Sequence, residues 1–484
     1  MGTLSELIPE RVFKYFEEIC IIPRSPGNCK EIADYIIRFA KEHSLKYIVN
    51  DVYSVIIYKD ASEGCEDKKP ILLQAHLDMV CENDYDYDAK YDVSRDGVTP
   101  AVIDDYVYAK GSSLGSVDGI GMAYILSVLS DDSLSHPEIE ALFTSDYNLM
   151  MKGAIAFDKG LIRSRRMIGF SHDTEGEILN SSAGSRRVEC RIPVKYEKKQ
   201  GIVYDLVICG LTGGHAGLEM DKYRGNANIL MGRLLHYIDL SINFDLFYLK
   251  GGMQYETIPR EAKASILVKE EDINTLEDIV SAFDDDLQKE YLHIEDNLTI
   301  YCENKGEEKL DVLDSRSMQS VIFLLMTIPD GIIKLCPWMQ SVVQTSLNTG
   351  MIELVKDEFT VRISIRSQLT SEKHALSDKL QYLTEKIGGT YEVLDNYHCW
   401  EYVERSPLRE SISHLYKEMF YADPVITGSH ERLEYGAITD KIRDMDIVVI
   451  GTAIENRNTT KERLGISSVE RTYGFLTEIL RSVD

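Results

Sequence analysis

Pro70-Ile71-Leu72-Leu73-Gln74-Ala75-His76-Leu77-Asp78 is the stretch on which the reading of the fold turns. Its apolar run behind a proline predicts a strand, and the polar residues cluster where that strand ends. His76 and Asp78, two residues apart on an extended chain, point to the same side. A hydrolytic metal centre uses such a pair with the imidazole as ligand and the carboxylate behind it, orienting the ring and raising its basicity. Two residues do not hold a metal, so the remaining ligands must come from elsewhere in the chain.

Working outward, residues 10–22 place Val12, Tyr15, Phe16, Ile19 and Cys20 at helical spacing before Pro23 and Pro26 break the pattern, and residues 29–43 repeat it. Residues 53–58, 106–109 and 139–144 read as strands, residues 118–126 as a helix with Asp118 at its cap, and residues 148–158 as a further helical segment. This alternation predicts an α/β domain with a mostly parallel sheet. Ligands of such sheets collect at the carboxyl ends of the strands, where His76, Asp118 and residues 145–148 fall. From Ser185 onward, strands over 188–194, 202–209, 262–268 and 359–364 alternate with helices over 226–240 and 371–387. The expected organisation is a discontinuous catalytic-type α/β domain, residues 1–184 and 401–484, with an inserted α+β lid or dimerisation-type domain at 185–400.

A chain of 484 residues is too long for one ordinary core, and 44% hydrophobic with 27% charged residues is a globular composition. The formal charge of −27 would repel nucleic acid and anionic membrane alike, so neither is an expected partner. Nine cysteines stand singly, with no C-x-x-C pair, which argues against a disulfide framework and a thiolate zinc site. No basic and apolar leader and no run of about 18 apolar residues is present, so the expected location is the cytoplasm.

Ordered motifs connect the chain to a known family. They are Gln74-Ala75-His76-Leu77-Asp78-Met79-Val80, Leu114-Gly115 with Asp118-Gly119-Ile120-Gly121, Lys152-Gly153-Ala154, Glu175-Gly176-Glu177, Gly213-Gly214-His215, Gly225-Asn226-Ala227-Asn228, Ile258-Pro259-Arg260-Glu261-Ala262, Ser346-Leu347-Asn348 and Leu433-Glu434. The chain thereby resembles the aminoacyl-histidine (Xaa-His) dipeptidases, carnosine-type di-zinc metallopeptidases. The resemblance implies two zinc ions sharing a carboxylate and a water, with a Glu as general base. It places zinc ligands at His76, Val117, Asn148, Ser171 and Asn458, the general base at Tyr147 and the supporting acid at Asp78. Only His76 keeps a metal-ligand residue of the family's kind. Tyr147, a phenol with an ordinary pKa of about 10, is a poor base at neutral pH.

The resemblance further makes His215 the residue that stabilises an oxyanion, and Arg260 and Asn348 residues that grip a peptide carboxylate. A Gly-Gly-His turn kept for backbone shape, and an Arg260–Glu261 ion pair, are the structural alternatives. Near the family segment holding His430 and Glu434, Glu431-Arg432 replaces a small Ala-Gly pair and is expected to narrow the cleft. The expected function is therefore that of a dipeptidase-like protein without di-zinc hydrolysis, retaining peptide binding or an assembly role, with no catalytic residue retained. The alternative is an active metal-dependent dipeptidase with a reduced or relocated zinc site recruiting residues such as Asp118, Asp146, Asp173, His172 or His430. Family resemblance also implies a homodimer, with a dipeptide or other small molecule as ligand.

Overall fold

The computed structural model describes residues 4, 6–88, 90–339 and 342–482. They form two compact units, Met1–Ser181 with Tyr402–Gly428 and Glu434–Asp484, and Ser182–Glu401 with Ser429–Leu433. The segment Ser429–Leu433 thus clusters with the inserted unit, although the long segments on either side of it do not.

In the first unit an eight-stranded sheet carries the quoted stretch near its centre as the strand Ile71–His76. Every residue of that strand is buried, as is every residue of its neighbour Ile139–Thr144. The two pair in parallel with His76 opposite Thr144, and parallel pairing continues through Arg166–Gly169 to Asp446–Ile450. Parallel strands covered on both faces need near-continuous apolar sequence, which is what Ile-Leu-Leu and Ile-Val-Val-Ile supply here. The parallel character is confined to this centre. Lys46–Val49 and Val55–Lys59 add to one side antiparallel, and Glu177–Ser182 pairs antiparallel with Asp446–Ile450, so the sheet as a whole is mixed.

Helices Glu10–Cys20 and Lys30–Glu42 turn Val12, Phe13, Phe16, Ile19, Ile32, Ile36 and Phe39 into this unit's core and leave charged residues outside. Helix Ser116–Leu129 is buried almost throughout. Its glycines permit close approach: a Cβ on Gly121 would stand 2.7 Å from that of Phe170, and one on Gly119 would stand 2.9 Å from the Arg24 guanidinium.

The second unit is built on a nine-stranded antiparallel sheet with its own core, backed by helices Ala227–Asp239, Ile273–Glu290, Ser315–Thr327 and Thr370–Lys386. At one edge, Thr299–Leu313 runs antiparallel to Tyr196–Cys209 over nearly its whole length. All nine cysteines are free thiols. No helix among the described residues is long and apolar enough to cross a membrane.

Candidate functional site

The carboxyl edge of the parallel strands gathers His76, Thr144 and, two residues past the strand Arg166–Gly169, Ser171. The His76 ring is almost fully buried, and its Nδ1 lies 2.8 Å from the Asp78 carbonyl oxygen. A carbonyl only accepts, so Nδ1 carries the proton and Nε2 is left with its lone pair. That Nε2 is buried with no hydrogen-bond partner, 3.9 Å from Asp118 Oδ2. Asp118 Oδ2 accepts the His76 backbone N–H at 3.0 Å and the Ser171 hydroxyl at 2.5 Å, while its Oδ1 is buried and unpartnered.

Asp78 orients His76 through its backbone carbonyl rather than through its carboxylate, which stands 3.8 Å from Nδ1. The carboxylate is spent on the following turn. Oδ1 accepts the Tyr147 N–H at 2.7 Å, and Oδ2 accepts the Asn148 N–H at 2.9 Å and its side-chain Nδ2 at 3.0 Å. Tyr147 lies flat on the His76 ring, centroids 4.4 Å apart and planes 6° from parallel. Asp118 does not cap its helix as its position predicts. The backbone N–H groups of Leu114, Gly115 and Ser116 are taken instead by the buried Glu462 carboxylate at 3.1, 3.2 and 2.8 Å.

Glu434 closes the group from below, its Oε2 accepting from Gln74 Nε2 at 2.6 Å and Thr144 Oγ1 at 2.7 Å. Burial, reinforced by Asp78 and Asp118, pushes its carboxyl well above the ordinary range against the pull of those two donors. Val117 packs an isopropyl group against the first unit's core beside Asp118. Asn458 lies in the loop between Ile454–Glu455 and Arg463–Gly465 with a left-handed φ of 62°.

Of the residues expected to grip a ligand, the second unit brings two into one polar cluster. His215 Nδ1 accepts the backbone N–H groups of Gly217 at 3.1 Å and Leu218 at 3.2 Å, which places its proton on Nε2. Burial, with the nearby Arg366 cation, holds this imidazole below its ordinary pKa and therefore neutral. Asn348 is buried and donates its amide to the carbonyls of Tyr255 at 2.8 Å and Thr257 at 3.0 Å. It thus clamps the backbone on either side of Glu256. Arg260 is elsewhere in its contacts: it is exposed, and its Nε donates to the Leu211 carbonyl at 3.2 Å.

Three charged residues of this cluster fell outside the expected ligand-binding set. Arg366, 2% exposed, donates Nη2 to Glu256 Oε2 at 2.5 Å, and Ser364 donates its hydroxyl to the same oxygen at 3.2 Å. Burial alone would raise the Glu256 carboxyl, but Arg366 and Arg432 outweigh it and hold the group at about 2. Arg432, read from sequence only as bulk, therefore contributes charge. His430 donates or accepts at Ser346 Oγ, 2.7 Å away, and burial pushes its imidazole down to about 3.

With this geometry in place, the likeness to known proteins can be stated. No family model matches the sequence. The chain is 30% identical over 485 residues to the cytosol non-specific dipeptidase of Escherichia coli (strain K12), covering 100% of this chain and 99% of that one. The chain belongs to the aminoacyl-histidine dipeptidase family. The crystal structure of aminoacylhistidine dipeptidase from Vibrio alginolyticus superposes with a TM-score of 0.89 at 28% identity, covering 99% of this chain and 98% of that one. An aminopeptidase from Bacillus cereus shares the fold at TM-score 0.56 and 13% identity over 98% of each chain.

The zinc ions implied by the resemblance to the dipeptidases need clustered lone pairs, with about four donors around each ion. At the positions indicated by the motifs, this family member holds the imidazole of His76, an isopropyl group, an amide donating to Asp78, a hydroxyl donating to Asp118 and the asparagine Asn458. Among the described residues no three His, Cys, Asp or Glu side chains group so as to hold a metal ion.

Proposed function

We propose that this chain is a dipeptidase-family protein that binds a peptide or similar small ligand without di-zinc hydrolysis. The observation that carries this reading is the state of the His76 group. Of the five positions at which the family resemblance expects ligands, Val117 is apolar and Asn148 and Ser171 already donate to Asp78 and Asp118. Tyr147, at the position of the general base, is a phenol stacked on His76, and a phenol of ordinary pKa about 10 is a poor base at neutral pH. The polar cluster around His215 and Asn348 supports retained recognition of a ligand. A cytoplasmic, homodimeric protein is the corresponding biological setting, by the same resemblance.

One observation favours a second reading, an active dipeptidase with a reduced or relocated metal site. His76 Nε2, Asp118 Oδ1 and Glu434 Oε1 are all buried without partners. Metal analysis of protein purified without chelator, together with a dipeptide hydrolysis panel, separates the two. The binding reading expects far less than one zinc per chain, no turnover and saturable dipeptide binding by calorimetry. Stoichiometric zinc with turnover abolished by His76→Ala would sink it in favour of the second.

A further inference from the structure

Glu256 and Arg366 form an ion pair whose composition is unusual for a purely structural contact. The Glu256 carboxylate, its side chain 19% exposed, accepts Arg366 Nη2 and the Ser364 hydroxyl on the same oxygen. His215 converges on the same place, because a Cβ added to Gly217 would stand 2.5 Å from Arg366 Nη1 and 3.0 Å from His215 Cε1. A guanidinium group, a hydroxyl donor and a neutral imidazole bearing its proton on Nε2 are the parts of a carboxylate receptor. The carboxylate inside it belongs to the chain itself.

The pairing is also incomplete. Glu256 Oε1, Arg366 Nε and Asn348 Oδ1 are buried with no hydrogen-bond partner. Arg366 and Asn348 are 2% and 1% exposed, so bulk water does not satisfy these atoms. Asn348 belongs to the same neighbourhood, since it stands opposite Ser364 in the strand register and bonds to the carbonyls flanking Glu256. Two of the three orphan atoms are acceptors. A ligand group that completes them carries N–H donors, as a terminal amide or an ammonium does. A free carboxylate would instead meet the Glu256 charge in a low-dielectric site, where like charges repel strongly.

We propose that Glu256 is a built-in counter-ion that occupies a carboxylate-binding site made by Arg366, Ser364 and His215, and so turns the specificity of this cluster from carboxylate to amide or ammonium groups. The identity of the ligand as a peptide rests on the binding function proposed above; the occupied anion site does not. Removing the charge while keeping the shape, as in E256Q, leaves the Arg366 guanidinium without the carboxylate that neutralises it.

The test uses the full-length protein and acetate as a minimal carboxylate. Acetate leaves the melting temperature and the calorimetric trace of the wild type unchanged, whereas E256Q binds it at least about tenfold more tightly than the wild type does. The double variant E256Q/R366Q loses that gain. Should E256Q fold poorly on its own, acetate restores its folded yield, and E256D, which draws the carboxylate back by one methylene, gives an affinity between wild type and E256Q. No gain in acetate binding for E256Q and no acetate rescue overturn the proposal, as does an equal gain in the double variant.

The second arm compares glycyl-leucine with glycyl-leucinamide. The wild type prefers the amide and E256Q prefers the acid, while a wild type that prefers the acid overturns the proposal. If E256Q gains acetate but neither protein binds either dipeptide, the counter-ion stands and the peptide-binding reading falls.

Discussion

At the scale of single residues, Asp78 shows a side chain whose work is local. Its carboxylate takes two backbone N–H groups and one amide of the turn at Tyr147 and Asn148, at 2.7 to 3.0 Å. Hydrogen bonds to a charged acceptor contribute about 1.5–3 kcal/mol each when their donors are withdrawn from water. Asp78→Ala is accordingly expected to lower stability by about 3 kcal/mol in urea unfolding, with no change in metal content; a loss below about 1 kcal/mol would contradict the turn-holding role. Glu256 gives a pH dependence of definite sign. Its carboxyl sits at about 2 in the folded protein, below its unfolded value of about 4.3. The stabilisation is therefore complete above pH of about 4.5 and disappears as pH falls toward about 2, a span worth about 3 kcal/mol. Unfolding of wild type and E256Q, compared at neutral pH and near pH 3, is expected to show a gap that shrinks with acid, and a gap independent of pH would refute the assignment.

At the scale of elements, the apolar strands and amphipathic helices were legible because their burial is written into residue order. Ile139–Thr144 and Ala262–Val268 have the bounds that the sequence predicts. Elements fixed by distant partners were not. The helix expected over 148–158 is reduced to Lys152–Ala156, because Asp146, Met150 and Met151 adopt left-handed φ values and Asp78 captures the preceding N–H groups. Thr299–Leu313 is rich in Glu and Lys without alternating burial, and is held as a strand by its long pairing with Tyr196–Cys209. The start of helix Ser116–Leu129 depends likewise on Glu462, more than 300 residues away in the chain. The carboxylate accepts charge-assisted hydrogen bonds from three successive N–H groups in the turn that leads into the helix, whose regular part follows Asp118. Glu462→Ala is expected to cost about 2–3 kcal/mol in urea unfolding, more than the same change at an exposed acid such as Glu470, where the loss should stay within about 0.5 kcal/mol.

At the scale of the whole molecule, the candidate site was legible only where motifs run in order along the chain. His76, Asp78 and His215 sit inside such motifs, whereas Arg366 meets Glu256 across 110 residues and no local pattern announces the pair. The TM-score of 0.89 against the Vibrio enzyme shows a scaffold kept over nearly its full length. A kept scaffold makes a reconstruction informative, because it tests whether the proposed loss of zinc lies in the side chains alone. The combined variant V117D, Y147E, N148E, S171D and N458H introduces four carboxylates and an imidazole at the positions that the family resemblance assigns to the zinc ligands and the base, and removes the ring stacked on His76. Without metal, like charges crowded in a buried site oppose one another, so the variant is expected to be less stable than the wild type. Zinc that binds only the folded form should return that stability, raising the melting temperature in proportion to the logarithm of free zinc. Retention of about two zinc ions per chain after dialysis is the expected result, lost again on adding His76→Ala. Each substitution made alone should retain none, since one added ligand beside a lone imidazole leaves most of the coordination shell unfilled. A combined variant that folds yet takes up no zinc would mean that the backbone around His76, and not the side chains alone, has moved away from a metal-binding geometry.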